Sequence, residues 1–329
     1  MISFIVRRVL LFIPMLLAVS VVSFVIIQLP PGSFLEQELM RLESLGGGTS
    51  MVQIDQLRIR YGLDQPGWRQ YLQWVYGIVT RGDFGESFAY DRDVNDVIWS
   101  YLGYTLLLSS TSLVLVYLVA VPLGCLAAAN KYKWQDHLAS AVSFVGMSIP
   151  EFLLALFLLV FGLLVLDYSF IGLFSPEFYF QPWSGAKILD LLKHLPIPAA
   201  VVAINGTAGL MRITRASMID VMGRPYIQTA RAKGLPERQV IGKHALRMSL
   251  NPLLSILGMS LPALLSGSAI LSIVLNLPTA GYLLYEGLKS QDMYLAGALI
   301  LMLSTLLLVG NLLADIALAA ADPRIRYER

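Results

Sequence analysis

The residues of this chain that could perform chemistry are few and far apart. Its three histidines, His137, His194 and His244, are scattered, and no H-E-x-x-H pattern sets two of them on one helix face for a metal. No G-x-x-x-x-G-K-[ST] stretch is present to cradle nucleotide phosphates, and no Ser/His/Asp spacing supports a nucleophilic triad. The single cysteine, Cys125, sits in an apolar run as a small hydrophobe, so disulfide frameworks and thiolate metal sites are excluded. Asn205-Gly206-Thr207 matches a glycosylation sequon, but within an apolar segment it would be inaccessible. What remains is polarity inside greasy sequence. Glu151, Asn205 and Thr207 are candidates to border a path through a membrane, because an intramembrane carboxylate faces a cavity or a partner rather than lipid. Asn205 and Thr207 also suit hydrogen bonds between helices, and Gly206 and Gly209 suit close helix packing.

A second kind of chemistry is electrostatic. The stretch "QTARAKGLPERQVIGKHALR" at 228–247 gathers Arg231, Lys233, Arg238, Lys243 and Arg247. It reads either as a loop that follows the charge bias of membrane proteins or as a docking surface for another protein. Nucleic acid is the poorer fit. The whole chain carries a formal net charge of only +2, and cations tethered beneath a bilayer suit headgroups or a protein partner better.

The elements that must hold these residues follow from composition. With 56% hydrophobic and 14% charged residues among 329, the chain has more apolar surface than a soluble fold can hide. An all-α integral membrane protein is expected. Apolar runs long enough to cross about 30 Å of hydrocarbon predict six transmembrane helices near 9–29, 102–126, 137–162, 195–215, 252–275 and 293–319. The first begins after Arg7 and Arg8 like a signal peptide, but it is too long and lacks a small-residue cleavage site, so it reads as a retained helix. Arg212 and Arg215 sit at the end of span four, Arg224 and the basic stretch lie between spans four and five, and Arg324, Arg326 and Arg329 follow span six. This bias puts both termini in the cytoplasm.

The expected organisation is an N-terminal helix (1–29), a periplasmic helical region (30–101), a five-helix core (102–319) containing a cytoplasmic loop (216–250), and a tail (320–329). In the periplasmic region one helix is expected around 51–61. A second, from Pro66, carries Trp68, Tyr71, Val75 and Ile78 on one face, and lies on the membrane or packs against the bundle. In the cytoplasmic loop, Pro225 starts a helix, Gly234 closes it, and Pro236 opens another with Glu237 in its first turn. The first helix sets Ile227, Ala230 and Arg231 on one side, and the second directs Val240, Ile241, His244, Leu246 and Arg247 toward span five. The basic stretch is thus an elbow between two short helices.

Several motifs then converge. "TARAKGL" at 229–235, "HALR" at 244–247 and "NPLL" at 251–254 resemble the cytoplasmic loop of ABC-type importer permeases, in particular the oligopeptide/dipeptide/nickel permease family. "GDFGESF" at 82–88, "SIPEF" at 148–152, "LPTAGYLLYEGL" at 277–288 and "DPRIRY" at 322–327 resemble other signatures of that family in the same order. Gln228 stands where the general loop pattern has Glu, and Pro252 lies beyond that pattern's closing proline, both familiar in the peptide subfamily. The resemblance implies an inner-membrane transport subunit rather than an enzyme, binding no cofactor itself. ATP and Mg would act on two ATPase subunits or domains, which contact Gln228, Thr229, Ala230, Arg231, Lys233, Gly234, Leu235 and Pro236. A homologous second permease, an extracytoplasmic solute-binding protein and membrane lipid are the other implied partners. Peptides are the expected cargo, with nickel chelates, opines, glutathione or sugars as alternatives. A stand-alone secondary transporter or channel is disfavoured, because no inverted repeat or matched pair of broken helices is evident.

Overall fold

The computed structural model describes residues 2–28, 65–87, 89–167, 169–250, 252–254, 256–257 and 269–321. The expected helix at 51–61, the middle of the fifth span and the tail from 322 lie outside these residues. The described elements are α1 (Ile2–Gln28), α2 (Gly67–Arg81), a short antiparallel ladder of β1 (Glu86–Ser87) and β2 (Arg92–Asp93), and α3 (Val94–Ala129). Then come α4 (Trp134–Ser148), α5 (Glu151–Phe161), α6 (Gly185–His194), α7 (Pro196–Met222) and α8 (Pro225–Ala232). They end with α9 (Ala269–Val274), α10 (Ala280–Lys289) and α11 (Met293–Ala321).

Among the described residues, four stretches are helical, long and apolar enough to cross a membrane: Val6–Ile26, Val94–Ala129, Gly185–Met222 and Tyr294–Leu313. A fifth candidate differs from expectation. The run near 137–162 is not one helix but α4 and α5, bent by 94° at a short break. The cause is Pro150, which has no N–H for the ladder and excludes helical geometry from the residue before it. Ile149 accordingly sits at φ −93°, ψ 120°, and α5 restarts at Glu151.

One compact unit comprises residues 6–103 and 279–308. There α2 packs on α1: Tyr71 and Trp74 lie 5.4 and 6.0 Å from the Phe24 ring, and the Tyr71 and Ser20 hydroxyls are 2.8 Å apart. Trp74 is the buried residue of α2, whereas Trp68, expected on that face, is 60% exposed. Trp68, Leu72, Tyr76 and Val79 instead form a second, outward apolar stripe. Asp292 locks the turn after β1 to the start of α11. Its buried carboxylate accepts hydrogen bonds from the Ser87 hydroxyl (2.6 Å) and the backbone N–H groups of Ala89 and Leu295 (both 3.1 Å).

The other unit comprises residues 1–5, 104–278 and 309–329. Its core joins α3 and α7 through Val116, Ala120, Ala127, Ala203, Leu210 and Met211, with Leu253. Gly124 permits this approach, since a Cβ there would lie 2.6 Å from the Thr214 Cβ and 2.9 Å from the Met211 carbonyl oxygen. Gly206 plays the expected packing part, with a hypothetical Cβ 3.0 Å from Val116, but Gly209 does not: nothing lies within 4 Å of its Cβ position. A second cluster holds the segment between α5 and α7, where the buried Lys187 ammonium donates to the Gln181 carbonyl (2.6 Å) and faces the Phe174 and Trp183 rings.

Candidate functional site

The basic stretch folds as the elbow its prolines and glycine predict. The α8 helix starts at Pro225, whose missing N–H costs nothing in a first turn, and caps at Lys233. Gly234 takes φ +75°. Its N–H donates to the Arg231 carbonyl (2.9 Å), and the Leu235 N–H donates to the Ala230 carbonyl (3.3 Å). This paired closure of a helix C-terminus requires a left-handed residue at its centre. Pro236, in extended geometry, leads into Glu237–Gln239. There the expectation of a regular second helix is revised: Val240–Ala245 is a π turn before helix resumes. The wider turn brings both Val240 and Ala245 to complete burial against Met218 and Ile227.

The elbow therefore has two sides. Ile227, Ala230, Val240 and Ala245, with Leu235 beside them, bury against Ala128, Met218 and Val221. Gln228, Thr229, Arg231, Lys233, Gly234 and Pro236 are exposed. Arg231 reaches across the bend to Glu237 in a two-pronged ion pair, Nη2 to Oε1 at 2.6 Å and Nε to Oε2 at 3.2 Å. That hydrogen-bonded guanidinium holds the Glu237 carboxyl below the usual carboxylate range. Both side chains remain substantially exposed, so the pair adds only about 0.2–1 kcal/mol.

Of the three polar residues singled out within the spans, two meet. The break at Pro150 puts Glu151 at the first position of α5, and its Oε1 accepts a long hydrogen bond of 3.4 Å from the Asn205 amide of α7. Thr207 is half-buried on α7 and lies about 200° around that helix from Asn205, so it does not join them. Arg215, which the sequence suggested only as part of a charge bias, makes a two-pronged pair with Asp136 of α4, Nε to Oδ1 at 2.5 Å and Nη2 to Oδ2 at 2.7 Å. Asp136 also accepts from the Tyr132 N–H at 2.9 Å. Nothing in residues 79 positions apart signals such a contact. The nearest clue was an acidic residue in the first turn of a helix beginning after Lys133. No group of three or more His, Cys, Asp or Glu side chains suited to a metal occurs among the described residues.

Helices of bilayer length and apolarity, with polar groups paired across them and an elbow packed on one side, define a multi-helix membrane protein. Comparison with known proteins gives the class its name. Residues 120–327 match the family described as "Binding-protein-dependent transport system inner membrane component", and residues 1–109 match its companion, "Binding-prot-dependent transport system membrane comp, N-term". The chain is 36% identical over 328 residues to the oligopeptide transport system permease protein AppB of Bacillus subtilis, covering 99% of this chain and 100% of that one. It is 33% identical over 329 residues to the glutathione transport system permease protein GsiC of Escherichia coli K12, covering both fully. In fold it is similar to a chain of the MetNI methionine ABC transporter in an inward-facing conformation, with TM-score 0.55, 17% identity, and coverage of 69% of this chain and 96% of that one. The chain belongs to the family of binding-protein-dependent transport system inner membrane components, and is a multi-pass permease of the bacterial inner membrane.

Proposed function

We propose that this chain forms one half of the translocation path of an ATP-driven importer of peptides or peptide-like solutes, and that the 225–247 elbow is where an ATPase engages it. The proposed topology has six spans and both termini cytoplasmic, with the elbow facing the ATPase. A second, homologous permease completes the path. Two ATPase subunits hold the ATP and Mg, and an extracytoplasmic binding protein delivers solute; the chain itself holds no cofactor and catalyses no reaction. The observation that carries the reading is the division of the elbow. Its apolar side is already buried against α7 and α3, while Gln228, Thr229, Arg231 and Lys233 stand outward, available to a partner.

Cargo is inferred from relatives named for oligopeptide and glutathione transport. Glutathione is itself a modified tripeptide, so the two names describe one solute chemistry. The test is reconstitution of the permease with its genomic partners in liposomes. ATP-dependent, binding-protein-dependent peptide uptake is the expected result. Uptake driven by an ion gradient, without a bound ATPase, would replace this reading with that of a secondary transporter.

A further inference from the structure

A groove with a cavity volume of about 630 Å³ runs between α4 and α7, within the range of small-molecule sites. Its walls include Phe144 and Met147 of α4 and Gly209 of α7, and Arg212 projects into it. The glycine matters because the space beside it is open: no atom lies within 4 Å of a Cβ built there. Two arginines border the groove, but they are not equivalent. Arg215 is neutralised by Asp136. Arg212 has only soft neighbours: its guanidinium lies 5.3 Å from the centre of the Phe144 ring, and Nη1 is 3.4 Å from the Met147 sulfur. No carboxylate pairs with it among the described residues.

The opposite charge lies further along the same seam. Asn205, Gly209 and Arg212 recur at spacings of four and three, one face of α7. Asn205 holds one oxygen of Glu151 and leaves the other unpaired by it. From Asn205 to Arg212 the helix advances about 10 Å, at ~1.5 Å per residue. An extended chain covers ~3.3–3.6 Å per residue, so the termini of a peptide of about three residues are separated by a similar span.

We propose that Glu151 and Arg212 are a terminus-reading pair for short zwitterionic peptides. The Glu151 carboxylate receives the peptide's ammonium group and the Arg212 guanidinium its carboxylate, while the apolar walls accept side chains without selecting among them. The assignment rests on the peptide reading above and adds to it which residues read the solute and by what chemistry. A guanidinium suits the carboxylate end because it can donate two parallel hydrogen bonds, which an ammonium cannot.

The test uses the assembled importer in lipid nanodiscs without the binding protein, so that the permease alone discriminates. Equilibrium binding is measured for radiolabelled trialanine, trialanine amide and N-acetyl-trialanine. Losing a hydrogen-bonded charge partner costs roughly 10- to 100-fold in affinity, so wild type should prefer the free peptide to each analogue by about that factor. In Arg212→Gln the preference over the amide should collapse while the preference over the acetylated peptide persists. Glu151→Gln should show the reverse. Arg212→Lys, which keeps the charge and loses the fork, should give an intermediate amide preference, and it serves if the glutamine variant fails to assemble.

The proposal is overturned if either variant keeps both preferences, or if both preferences fall together in each variant, as a merely structural role predicts. It is also overturned if Arg212 substitution alters only the response to added anionic phospholipid, which would make the groove a headgroup site. If the wild-type importer takes up another solute by ATP and binds none of the three peptides, the peptide reading itself fails. If wild type discriminates and the variants do too, only the assignment fails.

Discussion

Gly234→Val puts a β-branched side chain where the backbone sits at φ +75°, and the consequence can be worked out because nothing else at that position interferes. A Cβ built on Gly234 meets no atom within 4 Å. The cost is therefore conformational rather than steric: ~1–2 kcal/mol for an ordinary residue in the left-handed region, and the upper end or more for a β-branched one. The ties that resist it are the two closing hydrogen bonds from Gly234 and Leu235 and the exposed Arg231–Glu237 pair, the latter worth only about 0.2–1 kcal/mol. A loss of about 2 kcal/mol lowers the population of the closed elbow relative to open forms by roughly 30-fold.

Burial of Ile227, Ala230 and Val240 keeps the flanking helices attached, so the expected effect is local loosening and not failure to insert. Hydrogen exchange of the peptide spanning 228–240 should accelerate by roughly that factor. In liposomes with the partner subunits, substrate-stimulated ATP hydrolysis should fall while membrane content stays at the wild-type level. Gly234→Asn supplies the control, because asparagine tolerates this conformation better than other side chains. The expected order of coupling is Gly, Asn, Ala, Val. Wild-type exchange and coupling in the valine variant would refute the argument, and so would an asparagine variant as damaged as valine, since the backbone angle would then not be the cause.

Asp292→Ala should lower the thermal midpoint of the purified protein strongly, by about 3–5 kcal/mol of stability, because the Ser87 hydroxyl and two backbone N–H groups lose a buried charged acceptor. Ser87→Ala should cost nearer ~1 kcal/mol by the same measurement. Gly124→Ala should destabilise by about 1–3 kcal/mol, since its Cβ would fall 2.6 Å from the Thr214 Cβ. Gly103→Ala on the same helix has open space and should be neutral or slightly stabilising. The Arg231–Glu237 contribution has a definite pH sign. The folded-state carboxyl titrates below its unfolded value, so its stabilisation is fully present above the unfolded pKa of ~4.3 and disappears as pH falls through the lower folded value. Exchange protection of the elbow measured at pH 6 and pH 8, corrected for intrinsic exchange, should therefore be equal, with loss confined to acid below about pH 4.

Local grammar was legible in the sequence where one residue dictates its own backbone. Pro66, Pro196 and Pro225 each open a helix, and Gly234 closes one as anticipated. Hydropathy likewise located α1, α3, α7 and α11, because a bilayer-length apolar run has few other ways to be stable. The break at Pro150 was equally local, yet the apolar run across it masked the signal. What could not be read was which residues of distant elements would meet. Asp136 and Arg215, Glu151 and Asn205, and Ser87 and Asp292 are separated by 79, 54 and 205 positions. The first two pairings depend on helix azimuth, which a uniformly greasy helix does not display. The same loss of contrast made Gly209 look like a packing glycine.

Those azimuths give α7 a particular role. It runs unbroken from Pro196 to Met222, bearing Asn205 and Arg212 on the seam with α4 and α5, and Met218 and Val221 in the core of the elbow. Asn205 and Met218 lie about 20 Å apart at ~1.5 Å per residue. The elbow cannot move away from α7 without exposing Ile227 and Val240, both completely buried there. On the reading proposed above, an ATPase that displaces the elbow must therefore carry the end of α7 with it or forfeit that burial. Moving α7 also shifts Arg212 against Phe144 and Met147. It strains the Asp136–Arg215 pair, whose two short hydrogen bonds tie α7 to α4 at the edge of the groove. Asp136–Arg215 thus becomes the fulcrum of any such motion. A tie of this kind lets α7 pivot about its end more readily than slide along α4, so widening of the groove, and not a change in helix register, is the motion this geometry favours.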